Sequence, residues 1–189
     1  MNYSKTDAKS CLQECKRLLS TGRLPKWDEL PEFELYMDQV IEIVNKYLSI
    51  MEIFSGDNIE ITRPMINNYV KLGTMPAPVK KKYSRVHLAY IIVICTLKQS
   101  LNMSTIQKIL PAKLPEEEVR YVYNSFVKNQ KKSFEYASEQ ADKYASPILE
   151  AENADPHRID DLIMQIAFSA NIFKCLTEKA VSFDASKSE

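Results

Sequence analysis

The sequence predicts an all-α fold, and three observations carry that expectation. Only three glycines, Gly22, Gly56 and Gly73, occur in 189 residues, about a quarter of average usage, which argues against a turn-rich all-β design. Apolar residues recur at helical spacing along most of the chain, and capping residues stand where those runs begin. With so little glycine, no glycine-rich phosphate loop and no dinucleotide fingerprint can be written, so nucleotide chemistry of those two kinds is excluded.

The first helix is expected from Ser4 or Thr6 to about Ser20, with Leu12, Cys15, Leu18 and Leu19 on one side and Gly22 as its stop. Pro25 to Pro31 reads as a loop that Trp27 anchors on the core. The spacing of Phe33, Tyr36, Met37, Val40, Ile41, Val44, Tyr47, Leu48 and Met51 predicts a helix from Glu32 to about Phe54, closed by the turn residues Ser55-Gly56-Asp57-Asn58. Thr62 caps a short helix ending at Gly73. After the breaks at Pro76 and Pro78 comes the charged strip Val79 to Tyr83, and Ser84 then caps an apolar helix from Arg85 to about Leu101. A further helix runs from Met103 to Leu110, and Pro111 and Pro115 bracket a linker.

Glu116, Glu117 and Glu118 suit a helix start. A stripe from Val119 through Val122, Tyr123, Phe126, Val127, Phe134, Ala137 and Ala141 to Tyr144 carries that helix to Ser146-Pro147. Asp155-Pro156 opens the last helix, whose apolar face is Ile159, Leu162, Ile163, Ile166, Ala170, Phe173 and Leu176. These two long helices are expected to form a helical hairpin. Their apolar stripe exceeds what a hairpin alone covers, which points to a homodimer.

Net charge is zero, from 25 basic and 25 acidic residues, but the total hides a division. From Ile61 to Pro115 the chain has nine bases and no acid, so that segment carries +9 and the remainder −9. A basic centre between acidic arms fits a polyanion binder. The start of the chain shows no basic stretch leading into an apolar one, and the longest near-apolar run, Leu88 to Leu97, is about half of what a membrane helix needs. A cytoplasmic protein without a membrane partner is expected. Cys11, Cys15, Cys95 and Cys175 show no metal-binding spacing and fit reduced thiols. His87 and His157 have no recognisable nucleophile beside them, and Glu150, Glu152, Asp155, Asp160 and Asp161 read as acids at a helix start rather than a metal shell. No catalytic residue, cofactor or metal is expected, and the chain is not read as an enzyme.

At 100° per residue, the helix after Thr62 places Ile66, Val70, Tyr69, Met65 and Leu72 on one arc. Arg63, Pro64, Asn67, Asn68 and Lys71 fall on the other. Asparagine amides suit adenine edges, and the two cations suit guanine or phosphate. No acid interrupts this arc.

The string Thr62-Arg63-Pro64-Met65-Ile66-Asn67-Asn68-Tyr69-Val70-Lys71-Leu72-Gly73, with Pro76, Pro78, Lys81-Lys82-Tyr83-Ser84 and Ile106 to Leu110, resembles the DNA-binding head of MerR-class transcription regulators. It is more closely similar to the bacterial proteins catalogued as domain of unknown function 1836. Ile66, Tyr69 and Gly73 match the recognition helix of the MerR pattern, Tyr83 and Ser84 the end of its wing, and the helix from Met103 its last element. The resemblance to MerR heads spans residues 47–114, and that to the second family residues 27–114. At Asn67 and Asn68 the chain departs from the arginine and tyrosine usual there, the wing is short, and the segment Ser55 to Glu60 is longer than the usual turn.

The resemblance implies three parts: an N-terminal helix over residues 1–26, a helix-turn-helix head with a short basic wing over 27–114, and a C-terminal dimerisation or regulatory region over 115–189. The expected function is a sequence-specific transcriptional regulator that binds double-stranded DNA, its effector ligand left open. Asn67 and Lys71 are expected at base edges, Arg63 and Asn68 at the margins, and Lys80, Lys81, Lys82 and Arg85 on phosphates. The competing expectation is a non-catalytic interaction module whose basic centre docks on an acidic partner or on the chain's own acidic arms.

Overall fold

A computed structural model describes residues 5–55, 60–150 and 157–183. Among these the fold is all-helical: α1 (Lys5–Thr21), α2 (Met37–Ser55), α3 (Arg63–Lys71), α4 (Arg85–Leu97), α5 (Met103–Ile109), α6 (Glu116–Glu150) and α7 (His157–Ser182), with a 3-10 turn at Trp27–Glu29. Pairing between extended residues is confined, among the described residues, to the isolated bridges Leu35 with Tyr83 and Val79 with Lys82. The expected turn at Gly56-Asp57-Asn58 and the opening Asp155-Pro156 lie outside the described residues. The chain divides into a unit from Arg23 to Gln130 and a unit made of 1–22 and 131–189.

The core of the 23–130 unit is built around α4, whose residues His87 to Cys95 are all buried. A helix apolar on every side is stable only when enclosed. Val40, Val44 and Leu48 repeat every four residues on α2 and bury completely in the same core, as do Ile66 and Tyr69 of α3. The Tyr69 hydroxyl lies 4.0 Å from the Cys95 Sγ, and burial pushes that thiol up to about 12. Along α6, Val119 and Tyr123 are buried, and Val122, Phe126 and Val127 pack against the same core. That part of the stripe expected to await a partner is therefore covered within its own unit.

Three further expectations need correction. Helix α2 starts at Met37, not Glu32, because Leu35 exchanges both backbone hydrogen bonds with Tyr83 at 2.8 Å and holds the preceding residues extended. Phe33 and Tyr36, expected in the core, are consequently exposed. Helix α4 ends at Leu97, four residues early, where Lys98-Gln99-Ser100 turns toward the Asn102 cap of α5. Helix α6 runs past Pro147 to Glu150.

In the other unit, Leu18, Ala145 and Ile159 are the buried apolar residues among those described. The Lys16 ammonium donates to both Asp142 carboxylate oxygens at 2.6 and 2.7 Å, and the Tyr136 and Phe173 rings meet edge to face.

Candidate nucleic-acid interface

Helix α3 is short and stands on its apolar arc. Thr62 is its N-cap, Pro64 fits the first turn, and the C-terminus closes with two bonds: Thr74 N–H to Tyr69 C=O and Gly73 N–H to Val70 C=O. This closure needs a left-handed residue, and Gly73 supplies it at φ +64°. Because Ile66 and Tyr69 are buried, the opposite arc is held outward: Arg63, Pro64, Asn67, Asn68 and Lys71 are all exposed. Gln107 on α5 braces the end of α3, its side-chain amide donating to the Leu72 carbonyl at 3.2 Å and the Thr74 hydroxyl at 3.1 Å.

The strip Val79 to Lys82 is a minimal hairpin turn rather than an irregular loop. Val79 and Lys82 exchange backbone hydrogen bonds at 2.9 and 3.2 Å, and Lys80 and Lys81 between them adopt φ of 49° and 64°. Two consecutive left-handed residues define a type I′ turn, where asparagine and glycine are the usual occupants. Two lysines there hold their backbone in a conformation that costs each about 1 kcal/mol, and both side chains are exposed at the tip.

The base of this wing is fastened to α4. The Ser84 N–H donates to His87 Nδ1 at 3.0 Å, which fixes the neutral tautomer with Nε2 facing the Ala77 carbonyl at 3.3 Å. Burial lowers the imidazole pKa, partly opposed by the Ala77 carbonyl and the Glu34 carboxylate. The Tyr83 ring packs edge-on against His87 at 5.4 Å.

The eight predicted site residues do not share one fate. Arg63, Asn67, Asn68 and Lys71 lie together on the exposed arc of α3, and Lys80 and Lys81 occupy the wing tip. Lys82 is half-buried and ion-paired with Glu34 at 3.4 Å. Arg85 is enclosed: its side chain is 14% exposed, it donates to the Leu30 carbonyl at 2.9 Å, pairs with Glu32 at 3.2 Å, and stacks over the Trp27 ring. Both polar contacts run through Nη2, while Nε is buried without a hydrogen-bond partner among the described residues, and Arg85 joins the Trp27 loop to α4.

Sequence reasoning missed the partners of these cations. Glu32, Glu34 and Asp38, within seven residues, pair with Arg85, Lys82 and Arg63 respectively. Their alternation with Phe33 and Leu35 is the period of a strand, a signal hidden by reading the segment as helix. The basic centre is thus partly neutralised from within its own unit, while no described ion pair engages Lys71, Lys80 or Lys81.

A shallow concavity of about 460 Å³ lies between Arg23, Pro25, Glu29, Lys46, Tyr47 and Ser49. Arg23 is locked there to Glu29 by two hydrogen bonds of 2.7 and 2.9 Å, and the guanidinium and the Lys26 N–H lower the Glu29 carboxyl to about 2. Among the described residues no group of three or more His, Cys, Asp or Glu is placed to hold a metal, and no helix is long and apolar enough to cross a membrane.

Residues 25–126 match the family described as Domain of unknown function (DUF1836). No curated protein and no solved structure matches the chain.

Proposed function

The chain belongs to the DUF1836 family, and we propose that this member is a sequence-specific regulator of transcription, acting in the cytoplasm, whose 23–130 unit binds double-stranded DNA. The observation that carries this reading is the exposed, acid-free arc of α3 beside a wing tip of two lysines. Element order supports it further. Helix α2, helix α3, a short wing, then α4 and α5 follow one another in the order of the MerR-like pattern that the sequence resembles.

In this proposal α3 enters the major groove. Asn67 and Lys71 face base edges, with Arg63 and Asn68 at the margins, and Lys80 and Lys81 lie along phosphates. Lys82 and Arg63 reach phosphate by exchanging their carboxylate partners for it. Arg85 positions the wing and contacts no nucleic acid. Helices α6 and α7 form a hairpin in the same reading.

Binding of the full chain to mixed-sequence duplex DNA, measured by fluorescence anisotropy over a salt series, tests the proposal. With Arg63, Lys80, Lys81 and Lys82 each neutralising one phosphate, log K is expected to fall against log salt with a slope of about −3.6 per head. Absence of binding at low salt overturns it. Binding to an acidic polypeptide in place of DNA would favour the interaction-module reading, which the internal pairing with Glu32, Glu34 and Asp38 already suits.

A further inference from the structure

Tyr36 is an aromatic residue that the local fold does not call for. It stands directly before α2, its carbonyl accepting the Val40 N–H at 3.0 Å and its own N–H donating to Gln39 Oε1 at 2.9 Å. That is the N-cap position, where serine, threonine, aspartate and asparagine are preferred because a short polar side chain bonds the free N–H groups of the first turn. A tyrosine hydroxyl is too far from its own backbone to do so. The ring gains little burial in exchange, being 58% exposed. A residue that breaks a local rule without a local gain is better explained by a role outside the fold.

The bridges beside it fix the face it occupies. Leu35 and Tyr83 are a directly opposed pair, and so are Val79 and Lys82. The antiparallel register sets Tyr36 opposite Lys82, so Tyr36, Lys82 and Val79 form a row across the base of the wing. Side chains alternate along extended segments. Leu35 and Tyr83 accordingly turn into the core, whereas Tyr36 and Val79 are exposed on the other face. Glu34 reaches Lys82 on that same face at 3.4 Å, and Asp38 pairs with Arg63 at the start of α3. Tyr36 is thus flanked along the chain by the two carboxylates that hold a wing cation and an α3 cation.

Cations that exchange these carboxylates for phosphates bring the sugar-phosphate backbone onto the row. A tyrosine there suits both parts of that backbone: its hydroxyl donates to a phosphate oxygen, and its ring covers a sugar. We propose that Tyr36 is a DNA-backbone contact of this interface, its hydroxyl on a phosphate and its ring on the adjoining deoxyribose, beside Lys82. The inference rests on the reading of the 23–130 unit as a DNA binder, and adds to it a neutral residue from outside the basic segment.

Fluorescence anisotropy of the full chain with two unrelated duplex sequences, each over a salt series, tests it. Tyr36→Ser supplies a preferred N-cap residue, so the urea midpoint is expected to hold or rise. Its affinity for both duplexes is nonetheless expected to fall about tenfold, with the salt slope unchanged because no charge is lost. Tyr36→Phe keeps the ring and removes the hydroxyl, and is expected to fall about threefold. A wild-type chain that binds neither duplex overturns the DNA reading and this inference with it. Wild-type binding that the serine variant matches overturns the inference alone. Weaker binding with an altered salt slope overturns it as well, because Tyr36 would then act through the hold of Glu34 and Asp38 on Lys82 and Arg63. Should the serine variant unfold, Tyr36→Phe decides: affinity equal to wild type would show that the hydroxyl meets no phosphate.

Discussion

Asn67 and Arg85 were assigned to the same surface by sequence, and their surroundings separate them. The asparagine is exposed on a helix whose opposite face is buried, so its amide is presented to solvent. Asn67→Ala is expected to lose roughly 1–3 kcal/mol on a selected site and little on random duplex, as measured by competition anisotropy; equal losses on both would mean that it reads no base. His87 makes a second test. Its folded pKa is lowered by burial, so the fold favours the neutral ring, and the unfolded chain takes up the proton first as pH falls. The resulting stability is complete above about pH 6.5 and is lost as pH drops through the folded value. Urea unfolding at pH 7.5 and pH 5 should show this loss in the wild-type chain and less of it in His87→Gln, whose side chain does not titrate.

At the level of elements, the wing sets conformational strain against charge. Lys80→Asn with Lys81→Gly supplies the residues a type I′ turn prefers, and is expected to stabilise the protein by about 1–2 kcal/mol. The same change removes two cations, so the salt slope of duplex binding should shallow by roughly 2. A variant that is no more stable than wild type would show that the lysine backbone is not strained. The acidic segment predicts the opposite effect: Glu34→Gln with Asp38→Asn frees Lys82 and Arg63, and binding to mixed duplex at low salt should tighten by about tenfold. Helices α3, α4 and α5 were legible in the sequence because Thr62, Gly73, Ser84 and the opening Met103-Ser104 are local signals beside local periodicity, although the Asn102 cap of α5 went unread. The extended run before α2 was not, because the partner of its backbone, Tyr83, lies far along the chain. Nor does anything in two adjacent lysines announce a left-handed backbone. The exposed arc of α3 followed from its period, whereas the burial of Arg85 depended on Trp27, Leu30 and Glu32, residues that no helix spacing connects to it.

For the whole molecule, composition separated the basic segment from Ile61 to Pro115 from acid-bearing flanks, yet the 23–130 unit that contains this segment also holds twelve acids, and composition could not show that three of them pair with the predicted site cations. Burial is distributed unevenly as well. Every residue from His87 to Cys95 is enclosed, whereas α7 has Ile159 as its buried residue. Hydrogen exchange read by mass spectrometry should therefore find the amides of α4 among the slowest, opening only with their whole unit, and those of α7 much faster. Similar rates in both would contradict this picture. The thiol beside Tyr69 gives the same opening a chemical readout. Cys11 and Cys175 are exposed and meet an alkylating reagent at once, but Cys95 is sealed and kept protonated, so it reacts only when the 23–130 unit opens. Its labelling rate is thus a built-in clock for that opening, needing no introduced probe, and any molecule that binds the closed unit slows the clock in proportion to its occupancy.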